Sequence, residues 1–394
     1  MIKEHITTLH TYVDEAIDLA ISEKRIVGTV VQIALGGELI YSRAAGLADR
    51  EQKRTMAENA LFRLASVSKP IVSTAALALV SQGQLSLHDP VTRWLPAFRP
   101  KLANGQDTQI TIQQLMTHTA GLTYRFFQEE QGTYERAGIS DGMDLSELSL
   151  EENLQRLASV PLIYEPGHMW RYSIATDVLG AVIEKVTGMS LREAVQLLVT
   201  RPLHMKDTDF VAVDSDRLTA AYADGSEEPR LLHNQLEQVP FIEGTAGFRL
   251  APNRANQPSA YASGGAGMVG STGDFLTLLE TLRQGGQPIL TEAVASKMST
   301  NQIGELDMPY WPGRGFGLGF TILKDPVAAG TPESPGTWRM GGTYGHSWFV
   351  DPKEELSVVA FTNTALEGMS GKYTTDICDA IYAGIRESNE AARI

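Results

Sequence analysis

Two residues, Ser66 and Lys69, have the types and the spacing of a nucleophile and its base. Residues three positions apart on a helix lie on one face, about one turn from each other. A lysine that loses its proton in a poorly hydrated pocket can accept the proton of a serine hydroxyl, which is a weak nucleophile by itself. The pair therefore predicts covalent catalysis at Ser66. A capped helix with a solvated lysine is the alternative interpretation of so short a pattern.

Pro70 indicates where the helix that carries this pair begins. Proline has no N–H to donate and is tolerated only in the first turn of a helix. We therefore expect Ser66 at or near the N-terminus of a helix over residues 71–85. Free backbone N–H groups and the positive end of the helix dipole can stabilise an oxyanion there. Ser68 points to another side of the helix and is the poorer nucleophile.

Two further segments carry residues that suit acyl-transfer chemistry. Tyr172 precedes a predicted helix over residues 174–187, and a phenol beside an ammonium group can shuttle a proton. An ordinary tyrosine at a domain edge is the alternative. Gly341 and Gly342 follow Met340 just before a predicted strand, where glycines allow a ligand or a helix to approach the backbone closely. A turn into an edge strand would use the same residues.

The elements that position these residues follow from the hydrophobic pattern. Strand-like segments lie near both ends of the chain, at residues 26–35, 38–45, 315–323, 345–350 and 356–363. Helical spacing dominates between them, at residues 71–85, 112–118, 150–159, 174–187 and 191–198. Further helices are predicted at the N-terminus and over residues 373–386. This order predicts one sheet domain interrupted by a helical insertion.

The composition limits the class of partner. The chain of 394 residues has 33 Lys and Arg against 47 Asp and Glu, a formal net charge of −14. Such a chain is repelled by phosphate backbones and anionic lipids, which argues against nucleic-acid or membrane partners. The single Cys378 excludes an intrachain disulfide, and no histidine pair has metal-ligand spacing, so we expect neither a metal nor another cofactor. A small-molecule partner and a cytoplasmic location are the simplest expectations, and the oligomeric state is left open.

Three other patterns point to chemistry that their context does not support. The glycine-rich residues 313–319 run into a strand rather than a helix, which argues against nucleotide binding. Residues 345–349 resemble the G-x-S-x-G elbow of α/β-hydrolases but lack its last glycine. His346 in that segment is kept as a candidate residue lining the site. His118 is interpreted as a buried, hydrogen-bonded histidine rather than a catalytic one.

Taken together and in this order, the motifs resemble the serine β-lactamase and penicillin-binding-protein superfamily, specifically the family VIII carboxylesterases. The resemblance runs through most of the chain and includes the segments LFRLASVSKPIV, LMTHTAGL, SGGAGM, YGHSWFVDP and TNTALEGMSG. It implies an α+β fold, in which an antiparallel sheet is flanked by terminal helices and carries an inserted helical domain. Residues 1–65 and 250–394 would form the sheet domain and residues 66–249 the insertion, with the active site in the cleft between them.

The resemblance also implies a role for each candidate residue. Ser66 would be the nucleophile, Lys69 its base partner and Tyr172 the tyrosine of a Y-x-N motif. The oxyanion hole would consist of the backbone N–H groups of Ser66 and Thr343. The proposed substrate-binding residues are Tyr124, which matches a pocket tyrosine of the esterases, together with Met340, Gly341, Gly342 and His346. An exposed aromatic on a mobile loop is the alternative for Tyr124.

Two departures from the superfamily pattern bear on the substrate. Ile174 stands where Y-x-N has its Asn, and Met340 stands where β-lactamases have the Lys of K-T-G and the esterases a Trp. The missing amide and cation favour a less polar ester over a β-lactam. We therefore expect a serine carboxylesterase for short-chain esters, such as p-nitrophenyl acetate or butyrate, with cephalosporin deacetylation as a further activity. The alternatives are a β-lactamase or D-alanyl-D-alanine carboxypeptidase, and a non-catalytic acyl-ligand binding protein.

Overall fold

A central antiparallel sheet of eight strands joins the two ends of the chain in the computed structural model, which describes residues 2–391. From one edge to the other the strands are Arg314–Phe316, Thr321–Leu323, Trp338–Gly342, His346–Asp351, Leu356–Thr362, Gly28–Leu35, Glu38–Asp49 and Arg54–Thr55. All neighbouring strands are antiparallel. The junction between the chain ends is the pair Gly28–Leu35 and Leu356–Thr362.

The two terminal helices, Ile2–Ser22 and Lys372–Ala391, cover one face of this sheet. Their apolar residues recur at helical spacing and form a core with the sheet residues on that face: Leu9, Val13, Ile17, Ile377 and Ile381 pack with Val31, Ile33 and Val358. Burial of such side chains is worth about 1.5–3 kcal/mol each, which is enough to fix both helices to the sheet. Cys378 is buried and free in this layer, away from the catalytic motifs.

The other face of the sheet supports the helix Thr272–Arg283, which the hydrophobic pattern did not predict. Its Phe275 ring lies 5.3 Å from the Trp348 ring and 5.8 Å from the Phe361 ring, both on strands of the sheet. The helix Ser68–Ser81 belongs to the same core, and nearly all of its residues are buried. The helix that carries Lys69 and follows the predicted nucleophile is therefore held in the middle of the molecule.

The rest of the described chain consists of shorter helices and small hairpins. The remaining α-helices are Ile112–Met116, Thr133–Arg136, Leu150–Ala158, Ala175–Thr187, Leu191–Val195, Glu292–Met298, Pro326–Ala329 and Ala365–Ser370. Three of them begin with a capping box, in which a Ser or Thr and the Gln or Glu three residues later satisfy each other's backbone N–H: Thr111 with Gln114, Ser149 with Glu152, and Ser190 with Glu193. Two-stranded pairs join Phe62–Arg63 with Val269–Gly270, Tyr222–Ala223 with Arg230–Leu231, and Glu237–Val239 with Phe248–Leu250.

The prediction of a single strand over residues 315–323 is wrong. The segment forms a hairpin of two short strands, Arg314–Phe316 and Thr321–Leu323. Gly319 has a φ of +121°, and a Cβ on it would lie 2.7 Å from the Ser73 hydroxyl oxygen. The chain therefore turns where it passes against the helix Ser68–Ser81, and Gly319 allows this close approach.

Candidate active site

The turn that holds Ser66 has a strained backbone. Ser66 lies in the 3₁₀ turn Ala65–Val67, which leads directly into the helix Ser68–Ser81. Ala65 has a φ of +45°, in the left-handed region that residues with a side chain rarely adopt. Strain of this kind is concentrated at functional sites. Pro70 is the third residue of the helix, in its first turn as predicted, although the helix begins three residues before position 71.

Lys69 is buried beside Ser66 in the geometry expected of a base partner. Its Nζ lies 3.3 Å from Ser66 Oγ and donates a second hydrogen bond to the Gly265 carbonyl at 2.8 Å. Only 1% of the lysine is exposed. Burial lowers the pKa of Lys69 to about 7, although the nearby carboxylates of Asp177 and Asp141 favour the charged form. A large share of Lys69 is therefore neutral near pH 7 and able to accept the Ser66 proton.

Tyr172 completes the predicted group of three. Lys69 Nζ lies 4.6 Å from the centre of the Tyr172 ring. The phenol oxygen is buried and has no hydrogen-bond partner of good geometry in the described structure. Burial raises the pKa of the Tyr172 phenol, and an interaction with the Ser66 side chain acts in the opposite direction. A protonated phenol beside Ser66 is suited to donate a proton to a leaving group.

The His118 ring packs against the Tyr172 ring and hydrogen-bonds to the next residue of the chain. Its Nδ1 accepts a hydrogen bond from the Ser173 backbone N–H at 3.1 Å, and its ring lies 4.7 Å from the Tyr172 ring. Burial lowers the pKa of His118 well below its ordinary value, so the ring is neutral. This arrangement agrees with the interpretation of His118 as a buried, hydrogen-bonded residue.

The Tyr124 side chain is buried beside Lys69 and is not exposed on a loop. It is 2% exposed, its ring centre lies 5.1 Å from Lys69 Nζ, and it stacks on Phe126 at 4.5 Å. A Cβ on Gly265 would lie 2.9 Å from the Tyr124 hydroxyl oxygen and 3.5 Å from Lys69 Nζ. Tyr124 and Lys69 therefore both lie close to the Gly265 backbone. Tyr124 is close to the catalytic group, but the structure does not place it among the residues that line the cavity at Ser66.

The strand Trp338–Gly342 brings the predicted glycines against the nucleophile turn. Met340, Gly341 and Thr343 line the same cavity as Ser66. A Cβ on Gly342 would lie 2.5 Å from the Leu64 carbonyl oxygen, so only glycine lets the strand approach this closely. Gly342 thus positions the strand and does not itself line the cavity. The assignment of the oxyanion hole to the Ser66 and Thr343 N–H groups stays a prediction.

We expect Gly342→Ala to lower kcat/KM for ester substrates by about 10²-fold, because displacing a catalytic element by about 1 Å has an effect of this size. The added methyl group forces the strand away from the nucleophile turn. Steady-state kinetics and thermal unfolding of the variant measure the effect. Gly273→Ala is a suitable control because its Cβ would meet its nearest neighbour at 3.7 Å. Wild-type kinetics in Gly342→Ala would contradict the structural role of this glycine.

His346 is the first residue of the strand His346–Asp351, and its side chain does not line the cavity at Ser66. Its Nε2 hydrogen-bonds to the Arg63 backbone oxygen at 2.7 Å, and its ring packs against the rings of Phe62 and Phe361. Burial lowers the pKa of His346 to about 4, so the ring is neutral. The structure therefore gives this histidine a packing position and does not bring it together with the catalytic group.

Comparisons with known proteins agree with this geometry. The sequence model of the β-lactamase family matches residues 9–377. The chain belongs to the β-lactamase family. It is 50% identical over 377 residues to esterase EstB from Burkholderia gladioli, a match that covers 95% of this chain and 96% of the relative. This similarity identifies the chain as a serine hydrolase of the family.

Solved structures of related proteins support the same conclusion. EstCE1, a hydrolase with promiscuous acyltransferase activity, superposes with a TM-score of 0.93 at 48% identity, over 96% of this chain and 99% of that one. Simvastatin synthase LovD from Aspergillus terreus superposes with a TM-score of 0.74 at 21% identity, over 96% and 99% of the two chains, and shows the fold alone. The predicted superfamily and the α+β fold with an antiparallel sheet are confirmed.

Several residues of this β-lactamase-family site were not predicted from the sequence. The cavity at Ser66 has a volume of about 390 Å³, and its wall combines aromatic side chains with polar ones that include Arg314 and Arg339. Phe126, Phe127, Phe241, Phe248 and Trp311 contribute to that wall. Gly265, whose carbonyl accepts from Lys69, was also missed, although it lies in the SGGAGM segment. The cluster of glycines in that segment was the one available signal.

The two residues that depart from the superfamily pattern are both buried apolar side chains. Ile174 is fully buried at the start of the helix Ala175–Thr187, and Met340 is buried in the cavity wall. Among residues 2–391, no group of His, Cys, Asp and Glu is arranged to hold a metal ion. None of the helices that the structure describes is long and apolar enough to cross a membrane.

Proposed function

We propose that the chain is a family VIII carboxylesterase that hydrolyses short-chain carboxylic esters through an acyl-enzyme on Ser66. The observation that carries this proposal is the contact of 3.3 Å between Lys69 Nζ and Ser66 Oγ, inside a buried site that also holds the Tyr172 phenol. The nucleophile opens onto a cavity large enough for a small ester. The name of the relative esterase EstB supports the same reaction class.

The proposed reaction has two acyl-transfer steps. Neutral Lys69 takes the Ser66 proton as Oγ attacks the ester carbonyl, and the backbone N–H groups of Ser66 and Thr343 hold the oxyanion. The tetrahedral intermediate expels the alcohol, which receives its proton from Tyr172 or Lys69. Water then gives a proton to the same pair and attacks the acyl group, and Ser66 regains its proton as the acid departs.

The site is proposed to lie in the cleft between a sheet domain, residues 1–65 and 250–394, and a helical insertion, residues 66–249. The strand residues Met340 and Gly341 from the first part and Tyr172 from the second both line the cavity at Ser66. The cytoplasm stays the proposed location, and fractionation of cells that express a tagged chain tests it.

We expect p-nitrophenyl butyrate to be hydrolysed with a kcat/KM at least about tenfold above that of nitrocefin. Ile174 and Met340 supply neither the amide nor the cation that would orient a β-lactam, and the two arginines that line the cavity, Arg314 and Arg339, are paired with Glu333. An unmade polar contact of this kind is worth about 1–3 kcal/mol. Both substrates are measured side by side with wild type and with Ser66→Ala. Faster nitrocefin opening would favour the β-lactamase alternative, and no turnover of either would favour a binding protein.

A further inference from the structure

A second cavity of about 390 Å³ adjoins the first at Tyr172. The two cavities share five lining residues, so they are adjacent compartments of one site: Phe127, Tyr172, Phe241, Trp311 and Ser370. The second compartment contains neither Ser66 nor the strand residues Met340 and Thr343 among its wall residues. We call this second compartment, which also includes Met169, Trp170 and Tyr310, the aromatic slot.

The rings of the aromatic slot pack on one another and form an aromatic wall, and the Arg171 guanidinium lies 5.1 Å from the Phe127 ring centre and 6.0 Å from that of Tyr310. Phe127 and Tyr310 are parallel to within 5°, with ring centres 5.9 Å apart. Trp311 makes edge-to-face contacts with Tyr172 at 5.8 Å and with Trp170 at 5.2 Å. Such walls bind aromatic groups by offset stacking and edge-to-face contacts.

The mouth of the aromatic slot leaves large apolar side chains in water. Tyr310 is 50% exposed, Met169 is 56% exposed and Ile163 is 46% exposed, and all three line this compartment. Contiguous apolar surface on a soluble protein is unfavourable and commonly marks a binding site. A ligand that fills the slot would remove these side chains from water.

The position of Tyr172 decides which part of an ester the aromatic slot receives. Of the two groups that can protonate the departing alcohol in the proposed reaction, Tyr172 and Lys69, only Tyr172 lines the cavities, and the oxyanion donors of Ser66 and Thr343 belong to the first compartment. The alcohol oxygen must therefore face Tyr172. The group attached to that oxygen then extends past Tyr172 into the slot.

We infer, on the basis of the proposed ester hydrolysis, that the aromatic slot binds the alcohol portion of the substrate and that the preferred substrates are esters of aromatic alcohols. The acyl group remains in the first compartment beside Ser66. The slot sets specificity through the contacts that its rings make with the alcohol, and it takes no part in the proton transfers.

Two isomeric esters, which have the same atomic composition, test this assignment. Benzyl acetate carries its ring on the alcohol side, and methyl phenylacetate carries the same ring on the acyl side. We expect kcat/KM for benzyl acetate to exceed that for methyl phenylacetate by about fivefold or more, from two or three ring contacts. Tyr310→Ala and Met169→Ala should each lower this ratio, whereas Tyr310→Phe should keep it because the ring remains. Leu39→Ala, an exposed leucine on the strand Glu38–Asp49, is the control.

The outcomes separate the two proposals. A ratio near one, or a preference for methyl phenylacetate, in an enzyme whose activity is lost in Ser66→Ala would overturn the assignment of the slot and leave the esterase proposal standing. A wild-type ratio in both Tyr310→Ala and Met169→Ala would also overturn it. Unchanged hydrolysis of both esters by Ser66→Ala would instead refute the proposed function. Thermal unfolding of each variant confirms that the measured ratio belongs to folded protein.

Discussion

Ser66→Ala is expected to lower kcat for p-nitrophenyl butyrate by about 10⁴-fold or more, as removal of the nucleophile does in other serine hydrolases. The variant keeps Lys69 and Tyr172 in place, but no oxygen remains to attack the ester. The release of p-nitrophenol gives the rate directly, and thermal unfolding shows whether the fold is kept. Because the lost hydroxyl is small, we expect the melting temperature to change little.

Ser68→Ala is the matched control for this variant. Ser68 lies two residues further along the chain, and its Oγ accepts a hydrogen bond from the Met268 backbone N–H at 3.1 Å. Its loss leaves a buried N–H without a partner and costs about 1–3 kcal/mol of stability, without removing the nucleophile. A large loss of kcat in Ser68→Ala with an active Ser66→Ala would show that the nucleophile has been assigned to the wrong serine.

Lys69→Met is expected to lower kcat by about 10²–10⁴-fold, the usual contribution of a positioned general base. Methionine has a similar length and suits a site that is 1% exposed, so the variant should fold. Because Lys69 must be neutral to accept a proton, kcat/KM of the wild type should fall as the pH decreases below the pKa of Lys69, about 7. A pH profile of kcat/KM measures this limb. A flat profile between pH 5 and 8 would contradict the role of Lys69.

Asp177→Asn tests how much the negative charge of Asp177 opposes the effect of burial on the pKa of Lys69. Asp177 Oδ1 accepts hydrogen bonds from the Gly265 N–H at 2.7 Å and from Ser263 Oγ at 2.8 Å, so the amide oxygen of Asn can keep both contacts. The groups that face Lys69 are Asp177 and Asp141, which favour its charged form, and the rings of Tyr124, Tyr172 and His118. Removing the negative charge should lower the pKa of Lys69 and move the acid limb to lower pH. A movement to higher pH would contradict this account.

The local parts of the site could be predicted from the sequence because they depend on neighbours in the chain. The spacing of Ser66 and Lys69 places them about one turn apart, and Pro70 restricts where the helix begins. Tyr172 was linked to this pair by resemblance to a family, since the hydrophobic pattern contains no information about so distant a contact. The contact itself is formed by the packing of separate elements.

The positions that the sequence could not predict are those where tertiary contacts outweigh the local pattern. The strand expected over residues 315–323 is broken because Gly319 passes against Ser73, a residue far away in the sequence. Tyr124, which we expect to contact the substrate, is buried against Lys69 and Phe126, and this excludes the alternative of an exposed loop residue. His346 follows a glycine-rich segment near the site, yet the alternation of the strand turns its ring toward Phe361. None of these contacts is encoded within a short window.

The most direct test of the central claim is the mass of the protein during turnover. Wild-type enzyme mixed with p-nitrophenyl butyrate and quenched in acid within the first turnovers should carry one additional butyryl group, and peptide mapping should locate it on Ser66. Ser66→Ala should show no adduct under the same conditions. An adduct on a different residue, or one that persists in Ser66→Ala, would contradict the acyl-enzyme mechanism.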